Sequence, residues 1–123
     1  MANILVVEDN EIMQKLVTAI LEREGYSVTV ASNGKEGLEL LDVPEPPYDL
    51  IIADIMMPFA NGFEILNKVN KFEGRRIPVI IVSNLTNEQV VLDGFQLGAA
   101  DYITKPIMAG ELLLRVKRLL TVH

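Results

Sequence analysis

Short, uninterrupted runs of aliphatic residues alternate along the chain with segments in which apolar residues recur every three or four positions. The runs Ile4–Val7, Leu50–Ala53 and Val79–Val82 have no polar interruption, which is typical of strands that are buried on both faces of a parallel sheet. The segments Ser27–Ala31 and Tyr102–Thr104 predict two further strands. Five strands are therefore expected.

A helical period follows each predicted strand. The first helix is predicted over Asn10–Glu24, where Gly25 follows as a terminating residue. The second begins at Asn33, whose spacing to Glu36 is that of a helix start, and it carries Leu38, Leu40 and Leu41 on its apolar face. The others are predicted over Phe63–Phe72, from Thr86 through Leu97, and over Glu111–Thr121.

Five strands that alternate with five helices predict an α/β fold, (βα)5, with a doubly wound parallel sheet. The flavodoxin-like form of this fold has the strand order 2-1-3-4-5, and its ligands bind outside the carboxyl ends of strands one and three. The 123 residues fit one domain, so we expect residues 1–123 to form a single unit. In the last two helices, Glu88 and Asp93 could pair with Arg115, Lys117 and Arg118 across a dimer, but we expect these faces to be solvated.

Composition removes several classes of function. The formal net charge of −6 argues against a direct nucleic-acid partner, which requires clustered positive charge. The absence of Cys, and a single His at position 123, exclude thiol nucleophiles, the usual zinc sites and a Ser-His-Asp triad. The apolar runs are too short for a membrane span and no signal peptide is evident, so a cytoplasmic protein is expected.

The predicted strand ends carry an unusual concentration of acids. Glu8 and Asp9 follow the first strand and Asp54 follows the third, so three carboxylates are expected at one edge of the sheet. Two carboxylates about 5 Å apart repel by about 3 kcal/mol at an effective dielectric of about 20. A hard divalent cation such as Mg²⁺ would relieve that repulsion. Ser83 and Lys105 end the last two strands at the same edge and add a hydroxyl and a positive charge.

Four sequence motifs at these strand ends resemble those of the response-regulator receiver domain. They are V-V-E-D-N at 6–10, D-I-M-M-P-F-A-N-G at 54–62, S-N at 83–84 and G-A-A-D-Y-I-T-K-P at 98–106. The resemblance spans essentially the whole chain. It implies a two-component phosphorelay protein whose Asp54 accepts a phosphoryl group from a phosphohistidine and whose partner-binding surfaces then switch.

The resemblance also assigns roles to individual residues. It implies that Mg²⁺ is bound by Glu8 or Asp9, by Asp54 and by the backbone carbonyl of Met56. Lys105 would contact the phosphoryl oxygens, and Ser83 would move to hydrogen-bond one of them as Tyr102 turns inward. The Lys105–Pro106 peptide bond would be cis.

Two positions depart from the family pattern. Asn84 follows the switch hydroxyl where the family usually has a small residue, which is expected to alter the lifetime of the phosphorylated state. The first acid is Glu8 rather than Asp, and its extra methylene leaves open whether it binds the metal directly or through water.

Partner contact is expected beside this site. Ile12, Met13 and Leu16 lie early in the first helix and could form an apolar docking patch together with Pro106; simple core packing is the alternative for the helix residues. Asn84, Ile107 and Met108 would flank the patch. The donor would be a sensor histidine kinase or a histidine phosphotransfer protein, and the protein would be a monomer or a phosphorylation-dependent dimer.

Two other functions stay open on the sequence. A receiver-like adaptor would use the same fold for protein contact without phosphorylation. A phosphatase with an aspartate nucleophile usually places its general acid two residues later, where this chain has Met56. The output would be protein contact, unless the chain is a piece of a larger regulator or hybrid kinase.

Overall fold

Five parallel strands form one sheet in a computed structural model that describes residues 2–55, 61–72, 74, 76–84 and 88–121. The strands are β1 (Asn3–Val7), β2 (Ser27–Ala31), β3 (Leu50–Asp54), β4 (Val79–Ser83) and β5 (Asp101–Thr104). Their spatial order is β2-β1-β3-β4-β5. The predicted doubly wound α/β fold is therefore confirmed.

A helix follows each strand: α1 (Glu11–Arg23), α2 (Gly34–Leu41), α3 (Gly62–Asn70), α4 (Glu88–Gln96) and α5 (Ala109–Thr121). Helix α3 begins one residue earlier than predicted, because Asn61 and Glu64 form a capping box at its start. It ends at Asn70, before the predicted Phe72. Helix α5 begins two residues before the predicted Glu111. The predicted start of the fourth helix at Thr86 lies outside the described residues. In the described part of the chain, no helix is long and apolar enough to cross a membrane.

Alternate residues of each inner strand enter two separate core layers. Leu5, Ile51 and Ile81 pack on the side of the sheet that α2, α3 and α4 cover. Ile4, Ile52 and Ile80 pack on the other side with residues of α1 and α5. The three inner strands β1, β3 and β4 have uninterrupted apolar runs because both faces of the sheet are covered there, which leaves their carboxyl ends as the place where polar side chains collect.

Candidate functional site

The parallel pairing of β1 with β3 brings the acidic residues together. Val7 is in register with Ala53, so Glu8 and Asp54 follow at neighbouring strand ends. One carboxylate oxygen from each of Glu8, Asp9 and Asp54 lies within 4.8 Å of the others. Glu8 and Asp54 are buried, whereas Asp9 is exposed. The predicted convergence of three carboxylates is thus present in the structure.

Lys105 reaches this acidic cluster from the end of β5. Its Nζ lies 2.7 Å from Asp54 Oδ2 and 3.1 Å from Glu8 Oε1. The backbone N–H of Lys105 donates to the carbonyl of Ser83 at 2.8 Å, which fixes this segment beside the end of β4. The Lys105–Pro106 peptide bond is cis. The ammonium group of Lys105 therefore forms ion pairs with two buried carboxylates, those of Asp54 and Glu8.

Hydrogen bonds fix both the backbone and the side chain of Glu8. The Glu8 N–H donates to Ala31 O at 3.0 Å, and Glu8 O accepts from Gln14 Nε2 at 2.6 Å. Glu8 Oε2 accepts from the backbone N–H of Asn10 at 3.1 Å. Asn10 is the N-cap of α1, and its side chain accepts from the N–H of Met13. The start of α1 thus orients Glu8 toward the cluster.

Burial and neighbouring charges shift the pKa values of both Glu8 and Lys105. Burial raises the pKa of Glu8, assisted by the nearby Asp54 charge, and together they outweigh the Asn10 and Lys105 hydrogen bonds that favour its ionised form. Burial alone would lower the pKa of Lys105. The hydrogen bonds and charges of Asp54 and Glu8 outweigh that effect, so the pKa of Lys105 is raised. The cluster therefore holds a firmly protonated lysine and still favours further positive charge.

Gly62 supports the backbone on which Asp54 lies. A Cβ atom at this position would lie only 2.8 Å from the carbonyl oxygen of Asp54 and 3.2 Å from Ile55 Cα. The Gly62 N–H also donates to the carbonyl of Ile55 at 3.3 Å. A side chain at this position would push the start of α3 away from the end of β3. Sequence reasoning placed Gly62 in a loop motif but did not find this close approach.

The predicted switch residues occupy two different environments. Ser83 is buried at the end of β4, one residue beyond the pairing of Val82 with Asp54. Tyr102 is buried in the core layer beneath α2, α3 and α4. Asn84 is exposed. The proposed metal ligand Met56 lies outside the described residues.

The candidate docking residues divide between surface and core. Ile12 is 77% exposed and Leu16 is 41% exposed, whereas Met13 packs against the core layer formed with α1 and α5. Pro106 is exposed and Met108 is 63% exposed, while the intervening Ile107 is buried. The outward-facing members are therefore Ile12 and Leu16 on α1, and Pro106 and Met108 after β5.

Sequence reasoning missed a second ionic cluster at the opposite end of β5. Buried Asp101 is contacted by Arg115 at 2.7 Å and by Arg118 at 3.0 Å. The hydrogen bond with Asp101 raises the pKa of Arg115 above its already high usual value. The expectation that the basic residues of α5 are merely solvated is wrong for Arg115. The predicted strand began at Tyr102, so Asp101 lay outside it, whereas the observed strand includes Asp101.

Comparison with known proteins assigns the family. The family model for the response regulator receiver domain matches residues 4–117. The chain belongs to this family. A probable transcriptional regulatory protein of Picosynechococcus is 39% identical to this receiver domain over 97% of the chain and 49% of the relative. The receiver domain spans about half the length of the curated relatives it matches.

Solved structures of other receiver domains have the same fold. The non-phosphorylated HemR receiver domain from Leptospira biflexa is 32% identical, with a TM-score of 0.88 over 100% of this chain and 97% of that one. The receiver domain of the sensor histidine kinase PA1611 from Pseudomonas aeruginosa is 29% identical, with a TM-score of 0.87 over 98% of both chains. The latter structure has a magnesium ion coordinated in its active-site cleft. This protein is thus a receiver domain of two-component signalling.

Proposed function

We propose that Asp54 of this receiver domain accepts a phosphoryl group from a phosphohistidine, in a Mg²⁺-dependent reaction, and carries it as a signal. The donor is a sensor histidine kinase or a histidine phosphotransfer protein. The observation that supports this most directly is the 2.7 Å contact of Lys105 Nζ with Asp54 Oδ2 inside a buried acidic cluster. A carboxylate in this setting has a cation ready to neutralise charge on an incoming phosphate.

The acidic cluster fits a magnesium ion. Its donors are carboxylate oxygens from Glu8, Asp9 and Asp54, which are hard ligands of the kind that Mg²⁺ prefers. These three residues would hold the ion, and the Met56 carbonyl is proposed as a fourth ligand from the family pattern. When bound, Mg²⁺ would offset the repulsion between the acids and the phosphoryl oxygens.

The chemical step is proposed as a direct transfer. A carboxylate oxygen of Asp54 forms the new O–P bond as the P–N bond of the phosphohistidine breaks, and the imidazole leaves with its electron pair. Lys105 neutralises charge on the phosphoryl oxygens. The Ser83 hydroxyl moves to donate a hydrogen bond to one of them, and Tyr102 follows that movement. Hydrolysis of the aspartyl phosphate slowly returns the protein to its starting state.

Phosphorylation would change what the protein contacts. The group adds about two negative charges beside Lys105 and Ser83, and these charges bias an equilibrium that partners recognise. Several relatives are named transcriptional regulatory proteins, so a DNA-binding partner or a further domain is one proposed route for output. Direct nucleic-acid binding by this acidic segment is not proposed. We expect a cytoplasmic location, and a monomer or a phosphorylation-dependent dimer.

Acetyl phosphate labelling tests this function. The full chain is incubated with acetyl phosphate and MgCl₂, and its intact mass is measured. We expect one phosphoryl group on the wild type and on the control Asp42→Asn, whose exposed carboxylate pairs with Lys68 away from the site. Asp54→Asn should take up none. Lys105→Ala should retain some labelling but lose the accompanying conformational change, measured by NMR.

The adaptor function remains the alternative. It would be favoured if the wild type showed neither labelling by acetyl phosphate nor an NMR response to beryllofluoride with Mg²⁺. Partner binding would then be independent of Asp54. Labelling of Asp54→Asn to the wild-type extent would contradict the proposed acceptor.

A further inference from the structure

The side chain of Gln14, in the first turn of α1, reaches back to the end of β1. Its Nε2 atom donates a hydrogen bond to the backbone carbonyl of Glu8 at 2.6 Å. The backbone N–H of Gln14 donates to the carbonyl of Asn10 at 2.9 Å, as in a regular helix. Gln14 is half-buried, so water replaces the side-chain contact only in part. One residue therefore joins α1 to the backbone that carries Glu8 and Asp9.

Asp9 depends on that backbone for its position. Its side chain is exposed, and it makes no hydrogen bond or ion pair within the part of the chain that the structure describes. One of its carboxylate oxygens nevertheless lies within 4.8 Å of oxygens of Glu8 and Asp54, although like charges at this distance repel. The backbone conformation around residues 8–10 must therefore keep this carboxylate in the acidic cluster.

The carbonyl that accepts from Gln14 belongs to the planar peptide group between Glu8 and Asp9. On the other side of Glu8, its N–H donates to Ala31 O at 3.0 Å, which ties the residue to the end of β2. With that end fixed, the Gln14 hydrogen bond sets the orientation of the following peptide plane. Rotation of this plane would turn Asp9 away from Asp54. Gln14 can be substituted without altering an acidic residue, so its contribution is open to measurement.

We propose that Gln14 is a positioning residue for the acidic site, and that it acts by holding the Glu8–Asp9 peptide group through its side-chain N–H. This hydrogen bond keeps the exposed carboxylate of Asp9 close to Asp54 against their mutual repulsion. It also couples the first turn of α1 to the site of phosphoryl acceptance. The inference rests on the proposed function, and it adds a residue that lies outside the acidic cluster and does not touch the phosphoryl group.

Magnesium titrations of the full chain and its Gln14 variants test the inference. Binding of MgCl₂ is followed by NMR without any phosphoryl donor. Gln14→Met keeps the length of the side chain but removes the donor, so it should lower magnesium affinity about tenfold. Gln96→Met is the matched control, because Gln96 is exposed at the end of α4, and it should leave the affinity unchanged. A Gln14→Met variant that binds as tightly as the wild type would overturn the inference.

Two charged variants separate positioning from simple electrostatics. Gln14→Glu adds a negative charge but has no side-chain N–H at neutral pH, so its affinity should fall below that of the wild type, whereas charge alone would raise it. Gln14→Lys restores a donor, and the adjoining groove of about 290 Å³ has room for its longer side chain. Its affinity should stay within about threefold of the wild type, although charge alone would lower it. Affinities that follow charge, with Gln14→Glu highest and Gln14→Lys lowest, would overturn the inference.

A measurement on the unsubstituted protein avoids dependence on the folding of a variant. The side-chain amide signals of Gln14, assigned with Gln14→Met, are compared with those of exposed Gln96. We expect the Gln14 amide protons to exchange with water at least about tenfold more slowly, because one of them is bound to the Glu8 carbonyl. Equal exchange rates for the two side chains would overturn the inference.

Phosphoryl labelling separates the inference from the proposed function. At subsaturating MgCl₂, Gln14→Met should slow labelling by acetyl phosphate and transfer from a protein donor by the same factor, because it acts at the site and not on docking. Labelling of the wild-type Asp54 together with unaltered magnesium affinity in Gln14→Met would disprove only the role of Gln14. The expected affinities without any labelling would disprove only the phosphoacceptor. Absence of magnesium binding by the wild type would overturn both.

Discussion

Asp101 and Arg115 connect strand β5 to helix α5 through one guanidinium nitrogen that lies 2.8 Å and 2.7 Å from the two carboxylate oxygens. Asp101 Oδ1 also accepts from the N–H of Tyr102 at 2.9 Å. The ion pair therefore adjoins the backbone of the predicted switch residue. It also holds α5 against the sheet at the end of β5 that lies away from Asp54.

Replacing Asp101 should destabilise the fold. Asp101→Ala leaves Arg115 without its main partner in a partly buried position, so we expect a loss of about 2–3 kcal/mol in the free energy of unfolding, measured with urea. Glu11→Ala is the control, because its contact with Lys15 at 3.8 Å is solvent-exposed, and it should cost less than about 0.5 kcal/mol. Equal losses from the two variants would contradict the structural role of Asp101.

Gly62 offers a test of the support beneath Asp54. The Cβ of Gly62→Ala would lie 2.8 Å from the Asp54 carbonyl oxygen, which is backbone and cannot move freely. We expect a loss of about 2 kcal/mol or more in unfolding free energy, together with slower labelling of Asp54. Gly110→Ala in α5 meets no atom within 4 Å and should be neutral, or stabilising by up to about 0.5 kcal/mol.

The ion pairs of Lys105 should make the free energy of unfolding depend on pH in the alkaline range. The pKa of Lys105 is raised above its usual 10.5, so the folded state binds this proton more tightly than the unfolded state does. Its stabilisation is fully present below about pH 10.5 and disappears as the pH rises through the folded-state pKa. The difference in unfolding free energy between wild type and Lys105→Met should therefore be about 1–2 kcal/mol at neutral pH. It should shrink as the pH rises above about 10.5.

Urea unfolding at a series of pH values, without Mg²⁺, checks this expectation. Lys15→Met is the matched control, because it removes an exposed lysine and should cost less than about 0.5 kcal/mol at neutral pH. A difference between wild type and Lys105→Met that stayed constant through the alkaline range would contradict the assigned ion pairs.

The fold was predictable because periodicity alone separates buried strands from one-sided helices. The apolar runs Ile4–Val7 and Leu50–Ala53 indicate strands buried on both faces of a parallel sheet. The carboxyl ends of such strands lie at one edge of the sheet, which is where Glu8, Asp9 and Asp54 meet. The first residue of α3 was harder to predict, since it depends on the reciprocal hydrogen bonds of Asn61 and Glu64 rather than on apolar spacing.

Contacts between distant residues could not be read from sequence spacing. Arg115 is 14 residues from Asp101, and only the packing of α5 on the sheet brings them together. The unequal environments of Glu8 and Asp9 likewise arise from the N-terminus of α1 and from Lys105, which reaches Glu8 through the fold. Sequence could identify both acids, but it could not distinguish their surroundings.

The exposed apolar residues of α1 predict a docking contact with the phosphoryl donor. Ile12→Ser should lower the rate of transfer from a histidine phosphotransfer protein at least about tenfold more than the rate with acetyl phosphate, since a small donor needs no docking surface. Leu114→Ser is the control, because Leu114 on α5 is 68% exposed, comparable with 77% for Ile12. Equal effects of the two variants on the protein donor would contradict the assignment of the patch.

The most direct test of the account is to locate the phosphoryl group within the chain. The wild-type protein is phosphorylated by a phosphohistidine donor with Mg²⁺, the acyl phosphate is reduced with borohydride, and peptides are analysed by mass spectrometry. Reduction converts a phosphorylated aspartate to homoserine, and we predict this conversion at Asp54 alone. Homoserine at Asp9 instead, or a labelled chain with Asp54 unmodified, would contradict the central claim.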